Sequence, residues 1–372
     1  MKQFLALFPR SIRFGCGSFS LLEKEGVPGS RVMIVTGGSS MKKNGYIGAA
    51  AKALKKHGKD VFTYDRVKPE LPADNVDEAA AFAAKNRVDS FIGMGGGSAI
   101  DCAKAVSGIY KGSKKSRDYL DGKAGIKGRK AFFAAIPSTA GTGSEVTKNA
   151  VLTYPEKNNK LSIRGDCLVP DAVIADPEIT ASMPREITAY SGMDALSHAV
   201  ESYFSVSANE YTRQLSALSC RLIMENLEAA FENGRDLKAR ENMLLASVTA
   251  GLAFSTAGLG AVHGIGHAVG AVSGLGHGLV NAILLPYVID FNSAAVRPLL
   301  KRLENEAGGK IADRIRRMNK KFGIPARLSL ARPGLNEKSG LVIESLSYSG
   351  SMAYNPVKMD RKKAEKLLME AL

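Results

Sequence analysis

Apolar and polar positions along the chain follow two rhythms. In the first half, short β-branched runs alternate with longer stretches whose apolar residues fall three and four apart. Arg31-Val32-Met33-Ile34-Val35-Thr36 is such a run, and it ends at Gly37-Gly38. A short apolar run closed by glycine predicts a buried strand and a turn. Residues 60–64, 89–94, 131–136 and 172–175 repeat the pattern. Between them, 46–57, 76–86 and 98–110 carry helical spacing, with Asp74 as candidate N-cap of the second. Strand, helix and strand at this interval predict a doubly wound parallel sheet. From Pro184 to Phe291 the spacing is helical, and after Ile324 it reads as helical pieces joined by loops. The expectation is an α/β domain over residues 1–180 and an all-helical domain over 181–372.

Composition narrows the class. With 45% hydrophobic and 23% charged residues over 372 positions, the chain reads as an ordinary globular protein. No apolar run approaches the roughly 18 residues that span a bilayer. The apolar stretch at the N-terminus is too short for a signal peptide. Cys16, Cys102, Cys167 and Cys220 are scattered with no CxxC pair. That predicts neither a disulfide framework nor a zinc ribbon, and a reducing cytoplasm. The net charge is 51 − 36 = +15. Its densest stretches, 111–130 and 301–321, are not interleaved with aromatics, and the chain has no Trp. Stacking on nucleic acid is therefore not expected, and no membrane partner either. The charge reads as a basic surface with sites for phosphate-bearing ligands.

Candidate chemistry sits in three places. Gly93-Met94-Gly95-Gly96-Gly97-Ser98-Ala99-Ile100-Asp101 follows a strand and opens a helix. Glycines admit a ligand close to the backbone, and a helix N-terminus offers unpaired N–H groups to an anion. This is neither the GxGxxG fingerprint, since Ser98 stands at the third glycine, nor a P-loop. Pro137-Ser138-Thr139-Ala140-Gly141-Thr142-Gly143-Ser144-Glu145 is a second polar loop after a strand, with hydroxyls suited to ribose or phosphate. The third place holds four of the five histidines. Asp194 and His198 are four apart, and so are His263 and His267, with His277 in Gly276-His277-Gly278. Residues four apart share a helix face. A carboxylate with imidazoles suits a divalent first-row metal. The spacing is not HExxH, and by itself it does not choose between His263 and His267 as ligand.

These pieces together resemble the iron-containing (group III) alcohol dehydrogenases, whose fold is shared with glycerol dehydrogenase and dehydroquinate synthase. The matching segments run in order from Phe14-Gly15-Cys16-Gly17 through the two glycine-rich loops, 192–202, 258–267 and 276–286 to Tyr354-Asn355-Pro356. The resemblance implies an N-terminal dinucleotide-binding domain and a C-terminal metal-binding domain. It implies metal ligation by Asp194, His198, His263 and His277, with Fe²⁺ expected and Zn²⁺ an alternative. His267 then becomes the catalytic histidine that passes a proton to solvent. Cofactor contacts are implied for Gly95, Gly96, Gly97, Ser98, Asp101, Ser138, Thr139, Thr142 and Lys160. Asn149, Val151 and Phe254 fall where substrate is lined.

The resemblance further implies reversible hydride transfer between NAD(P)(H) and a small alcohol or its aldehyde or ketone, the metal acting as Lewis acid. The stretch Gly37-Gly38-Ser39-Ser40-Met41-Lys42-Lys43 lacks the Asp that NAD-linked members place against the adenosine ribose. A carboxylate repels a 2′-phosphate, whereas hydroxyls and Lys43 accept it, so NADP(H) is expected over NAD(H). A homo-oligomer, a dimer, is the expected assembly. A dehydroquinate synthase-like or glycerol dehydrogenase-like enzyme on the same fold is the alternative, and a basic nucleic-acid-binding protein a more distant one.

Overall fold

The structure, a computed structural model, describes residues 3–372. The chain divides into two compact units. One comprises Leu7–Thr153 and Leu161–Met183; the other comprises Pro184–Leu372, the hairpin tip Tyr154–Lys160 and a short N-terminal piece ending at Ala6.

The first unit is built on eight strands. They are β1 (Ser11–Phe14), β2 (Arg31–Gly37), β3 (Asp60–Val67), β4 (Ser90–Gly95), β5 (Phe132–Pro137), β6 (Asn149–Tyr154), β7 (Asn159–Arg164) and β8 (Ala172–Ala175). Six form one parallel sheet in the order β1-β8-β5-β4-β2-β3, and β6 and β7 pair separately. Helices α1 (Tyr46–Lys56), α2 (Ala73–Lys85) and α3 (Gly97–Ile109) connect the strands. Side chains of β2 alternate between two cores, as the period of two requires. Met33 and Val35 join Val76, Ala79, Ile100 and Val106 on one side. Val32 and Ile34 join Ile47, Ala50 and Leu54 on the other. Every residue of β4 is buried, which is why its sequence is apolar from Phe91 onward.

The doubly wound parallel sheet followed by a helical region agrees with the expected fold class. Two local readings differ. Asp74 is not the N-cap of α2; Pro72 occupies that place with extended backbone, and Asp74 sits in the first turn, paired with Arg117. Its carboxylate is drawn to a guanidinium from outside the helix rather than to its own backbone. Strand β1 and the β6–β7 hairpin carry no apolar run long enough to announce them. β1 is only four residues and pairs with β8 some 160 positions later.

The second unit is helical: α4 (Arg185–Phe204), α5 (Glu210–Glu232), α6 (Leu237–Ala257), α7 (Ala261–Ser273), α8 (His277–Asn292) and shorter helices to the C-terminus. Helix α4 packs against α5, α6 and α8 and is buried nearly all round from Gly192 onward. A helix with no solvent-facing side over such a stretch belongs at the centre of its unit. Asn209 caps α5 through reciprocal bonds with Thr212. Helices α6 and α7 meet at 103° across Gly258-Leu259-Gly260. Among the described residues no single helix is long and apolar enough to cross a membrane.

Candidate functional site

Three helices of the second unit place one polar cluster. Asp194 and His198 lie on one face of α4, one turn apart, and both are buried. His263 stands in the first turn of α7, and His277 is the first residue of α8. Gly278 makes the approach of α8 to α4 close: a Cβ there would lie 2.3 Å from the carbonyl oxygen of Tyr190. One ligand atom each from Asp194, His263 and His277 falls within 4.8 Å of the others. His263 Nε2 lies 3.8 Å and His277 Nε2 3.6 Å from Asp194 Oδ1. His198 stacks between Phe254 and His263, at ring-centroid distances of 4.4 and 4.5 Å.

The centre of this cluster is marked by Asn281, on α8 one turn after His277. Its Nδ2 donates to Asp194 Oδ1 at 2.7 Å and lies 3.1 Å from both His263 Nε2 and His277 Nε2. Three potential ligand atoms thus converge on one point, the Asn281 amide nitrogen, which is the arrangement a cation seeks. Burial pushes His263 down to about 3, helped by His198, and pushes His277 well below its usual value, helped by Lys160 and His267. Both imidazoles are therefore neutral near neutrality, the form that ligates metal. A divalent ion fits this donor set of carboxylate and imidazoles.

Glu201 is a second residue that sequence reasoning missed. It is buried on α4, three residues after His198, and its Oε2 lies 2.6 Å from His263 Nδ1. Its Oε1 accepts the Val262 N–H at 2.6 Å. Burial raises this carboxyl to about 7 against the backbone N–H groups of Gly260, Val262 and His263, which lower it. The signal for both residues was present as spacing: Glu201 follows Asp194 by seven, and Asn281 follows His277 by four.

The other expected residues separate by unit. In the helical unit, His267 is half-buried, its ring 5.9 Å from that of His263 and 5.2 Å from that of His277. Lys160, on the hairpin tip, places Nζ beside Gly270 of α7 and acts electrostatically on His277. In the α/β unit, the loops after β5, β4 and β2 leave the carboxyl ends of three neighbouring strands. Gly95 ends β4 with its carbonyl accepting from Ser138 N at 2.9 Å, and α3 begins at Gly97. A Cβ on Gly97 would lie 2.7 Å from Thr142 Cγ2, so the two glycine-rich loops touch because that side chain is missing. Ser98, Ser138, Thr139 and Thr142 stay half-buried at this turn.

Beneath the turn, Lys104 is fully buried. Its Nζ donates to the carbonyls of Ser144 and Asn149, each at 2.7 Å, to Thr147 Oγ1 at 3.0 Å and to Asp101 Oδ1 at 3.3 Å. Asp101 Oδ2 accepts the Val151 N–H at 2.9 Å. Both Asp101 oxygens are thus engaged inside the unit, where they shape the turn from below. The side chains of Asn149 and Val151 face the other way from buried Ala150 and Leu152 on β6. After β2, Gly38 has φ +62° with open space around its Cβ position, Ser39, Ser40 and Lys43 are exposed, and Lys42 pairs with Asp65 at 3.4 Å.

A parallel-sheet unit with glycine-rich turns and a helical unit with a carboxylate–histidine cluster together define a class of nucleotide-linked, metal-dependent dehydrogenases. The chain belongs to the iron-containing alcohol dehydrogenase family. The signature "Iron-containing alcohol dehydrogenase" covers residues 9–177, and "Fe-containing alcohol dehydrogenase family, C-terminal" covers 188–372. The chain is 34% identical to an NADPH-dependent butanol dehydrogenase of Clostridium saccharobutylicum, over 96% of this chain and 95% of that protein. It is also 34% identical to an NAD-dependent methanol dehydrogenase of Bacillus methanolicus, over 83% of this chain and 84% of that one. The solved structure of an alcohol dehydrogenase from Oenococcus oeni superposes with a TM-score of 0.93 at 30% identity, covering the whole of both chains. The protein is therefore an oxidoreductase that interconverts alcohols and carbonyl compounds with a nicotinamide cofactor.

Proposed function

We propose that Asp194, His198, His263 and His277 hold an Fe²⁺ ion, and that the enzyme uses NADP(H) to interconvert a primary aliphatic alcohol and its aldehyde. The observation that carries the metal assignment is the convergence of Asp194 Oδ1, His263 Nε2 and His277 Nε2 on the Asn281 amide nitrogen. Primary alcohols are the shared chemistry of the butanol and methanol dehydrogenases it resembles. When bound, the metal supplies Lewis acidity to the substrate oxygen and the nicotinamide carries the hydride.

The chain's own residues supply position, charge and proton transfer. Asp194 brings one negative charge to a buried site, and the imidazoles contribute lone pairs without adding positive charge. His267, half-buried beside His277, passes the alcohol proton to solvent. Gly95, Gly96, Gly97 and Ser98 present backbone N–H groups at the start of α3 to the cofactor's phosphates. Ser138, Thr139 and Thr142 add hydroxyls, and Gly37, Gly38, Ser39, Ser40 and Lys43 receive the 2′-phosphate. Lys160 acts beside the imidazoles, and Phe254, stacked on His198, lines the substrate side of the cluster. None of the four cysteines forms a disulfide, which supports a reducing cytoplasm.

The deciding experiment is a panel of alcohols and aldehydes with NADPH and NADH on enzyme of defined metal content. Turnover of primary alcohols that needs Fe²⁺ and favours NADPH is the expected result. Preference for NADH would remove the cofactor assignment, and equal turnover by metal-free enzyme the metal assignment.

A further inference from the structure

We propose that Glu201 is a positioning residue for His263: by taking the proton-bearing Nδ1 it fixes the tautomer whose Nε2 lone pair faces the metal. The inference rests on the metal reading above and concerns a residue outside the ligand set.

The geometry is over-determined. Glu201 Oε1 accepts from Val262 N at 2.6 Å, and Oε2 faces His263 Nδ1 at 2.6 Å and His263 N at 3.4 Å. Backbone N–H groups only donate, so they hold the Glu201 oxygens as acceptors. Facing the Glu201 carboxylate, His263 Nδ1 is the donor, and a neutral imidazole has one N–H. Its Nε2 is left with a lone pair, and the Asn281 amide nitrogen lies 3.1 Å from it, in place to donate. Both side chains are buried, with Glu201 5% and His263 1% exposed, so no water competes freely for Nδ1. His277 provides the contrast: its Nδ1 is buried without a partner. Carboxylates that take the outer nitrogen of a ligating histidine set its tautomer and orientation, and their loss costs about 10–100-fold in metal affinity.

The choice of a carboxylate over an amide follows from the same bonds. In Glu201→Gln the amide oxygen must stay on Val262 N, because the backbone donor cannot reverse. The NH₂ group then faces His263 Nδ1, which becomes the acceptor and moves the ring proton to Nε2. An isosteric change thus selects the tautomer that cannot ligate through Nε2.

The test reads the tautomer directly. The chain has five histidines, so ¹⁵N-histidine labelling gives five ring systems to resolve. In metal-free wild type, His263, assigned by its absence in His263→Ala, is expected as the Nδ1–H form; in metal-free Glu201→Gln it is expected as Nε2–H. Zn²⁺ affinity, measured by competition with a chromogenic chelator, is expected to fall roughly 10–100-fold in Glu201→Gln. Glu201→Asp keeps two acceptor oxygens and is expected to retain the Nδ1–H form and bind Zn²⁺ more tightly than Glu201→Gln. An unchanged tautomer in Glu201→Gln, or equal Zn²⁺ affinity of the Asp and Gln variants, would overturn the proposal. Unaltered Zn²⁺ binding by His263→Ala would instead defeat the ligand assignment, while the tautomer measurement would still stand on its own.

Discussion

The two candidate binding regions are built in opposite ways. The cluster around Asp194 is made of side chains that helices carry inward, with Asn281 bonded to Asp194 and Glu201 facing His263 Nδ1. The turns after β2, β4 and β5 are made of backbone, and side chains are missing where loops must approach. A site made of side chains is broken by taking atoms away. A site made of backbone is broken by adding them. Each substitution below uses that difference.

The largest effect is expected from removal at the cluster. His263→Ala and His277→Ala should each lose bound metal and lower kcat/KM by on the order of a thousandfold or more, since a metal ion contributes several kcal/mol to charge stabilisation. Metal analysis and circular dichroism on the purified variants check this, with the fold expected to persist. Full metal content in either variant would break the comparison at its first term. His267→Ala should sharpen it. Metal is expected to stay, while kcat falls by about 10²–10⁴ and its pH profile changes, as for loss of a proton-transfer group. Metal loss equal to that of His263→Ala would put His267 among the ligands.

At the turns the opposite change is the informative one. Gly97→Ala adds one methyl at 2.7 Å from Thr142 Cγ2. It should cost about 1–3 kcal/mol of stability and raise the cofactor KM more than the alcohol KM. Thr142→Ser, which removes that Cγ2, should recover part of both losses in the double variant. Additive losses would show that the two loops do not depend on this contact. Gly38→Asp has room for its side chain, and its left-handed φ is one that Asp tolerates better than most residues. Because Gly38 is exposed, its carboxylate should repel a 2′-phosphate by only about 1 kcal/mol, lowering NADPH over NADH selectivity several-fold. The smallest effect belongs to Lys43→Ala, about 0.2–1 kcal/mol against NADPH and less at high salt. Both are read as the ratio of kcat/KM for the two cofactors, and an unmoved ratio would detach this turn from the adenosine end.

The fold was legible where local pattern and tertiary placement agree. Residues 32–35 and 91–94 are apolar because both faces of the sheet are covered, so their strands could be read without knowing their neighbours. The same holds for the histidine pairs: Asp194 with His198 and His263 with His267 face together through helix geometry alone. Sequence therefore determined that a dehydrogenase-like α/β unit precedes a helical unit carrying a carboxylate and imidazoles. What it did not determine were relations across long stretches of chain. β1 exists as a strand only because β8 offers it an edge. The turn at Gly97 and the loop at Thr142 became one surface only when β4 and β5 paired. His263 and His267 are equivalent by spacing. The approach of α8 to α4 and the capture of His263 Nδ1 by Glu201 are what bring His263, with His277, to Asp194. Periodicity is a property of a few consecutive residues, whereas the burial and convergence that give a polar atom its partner arise only when distant segments pack.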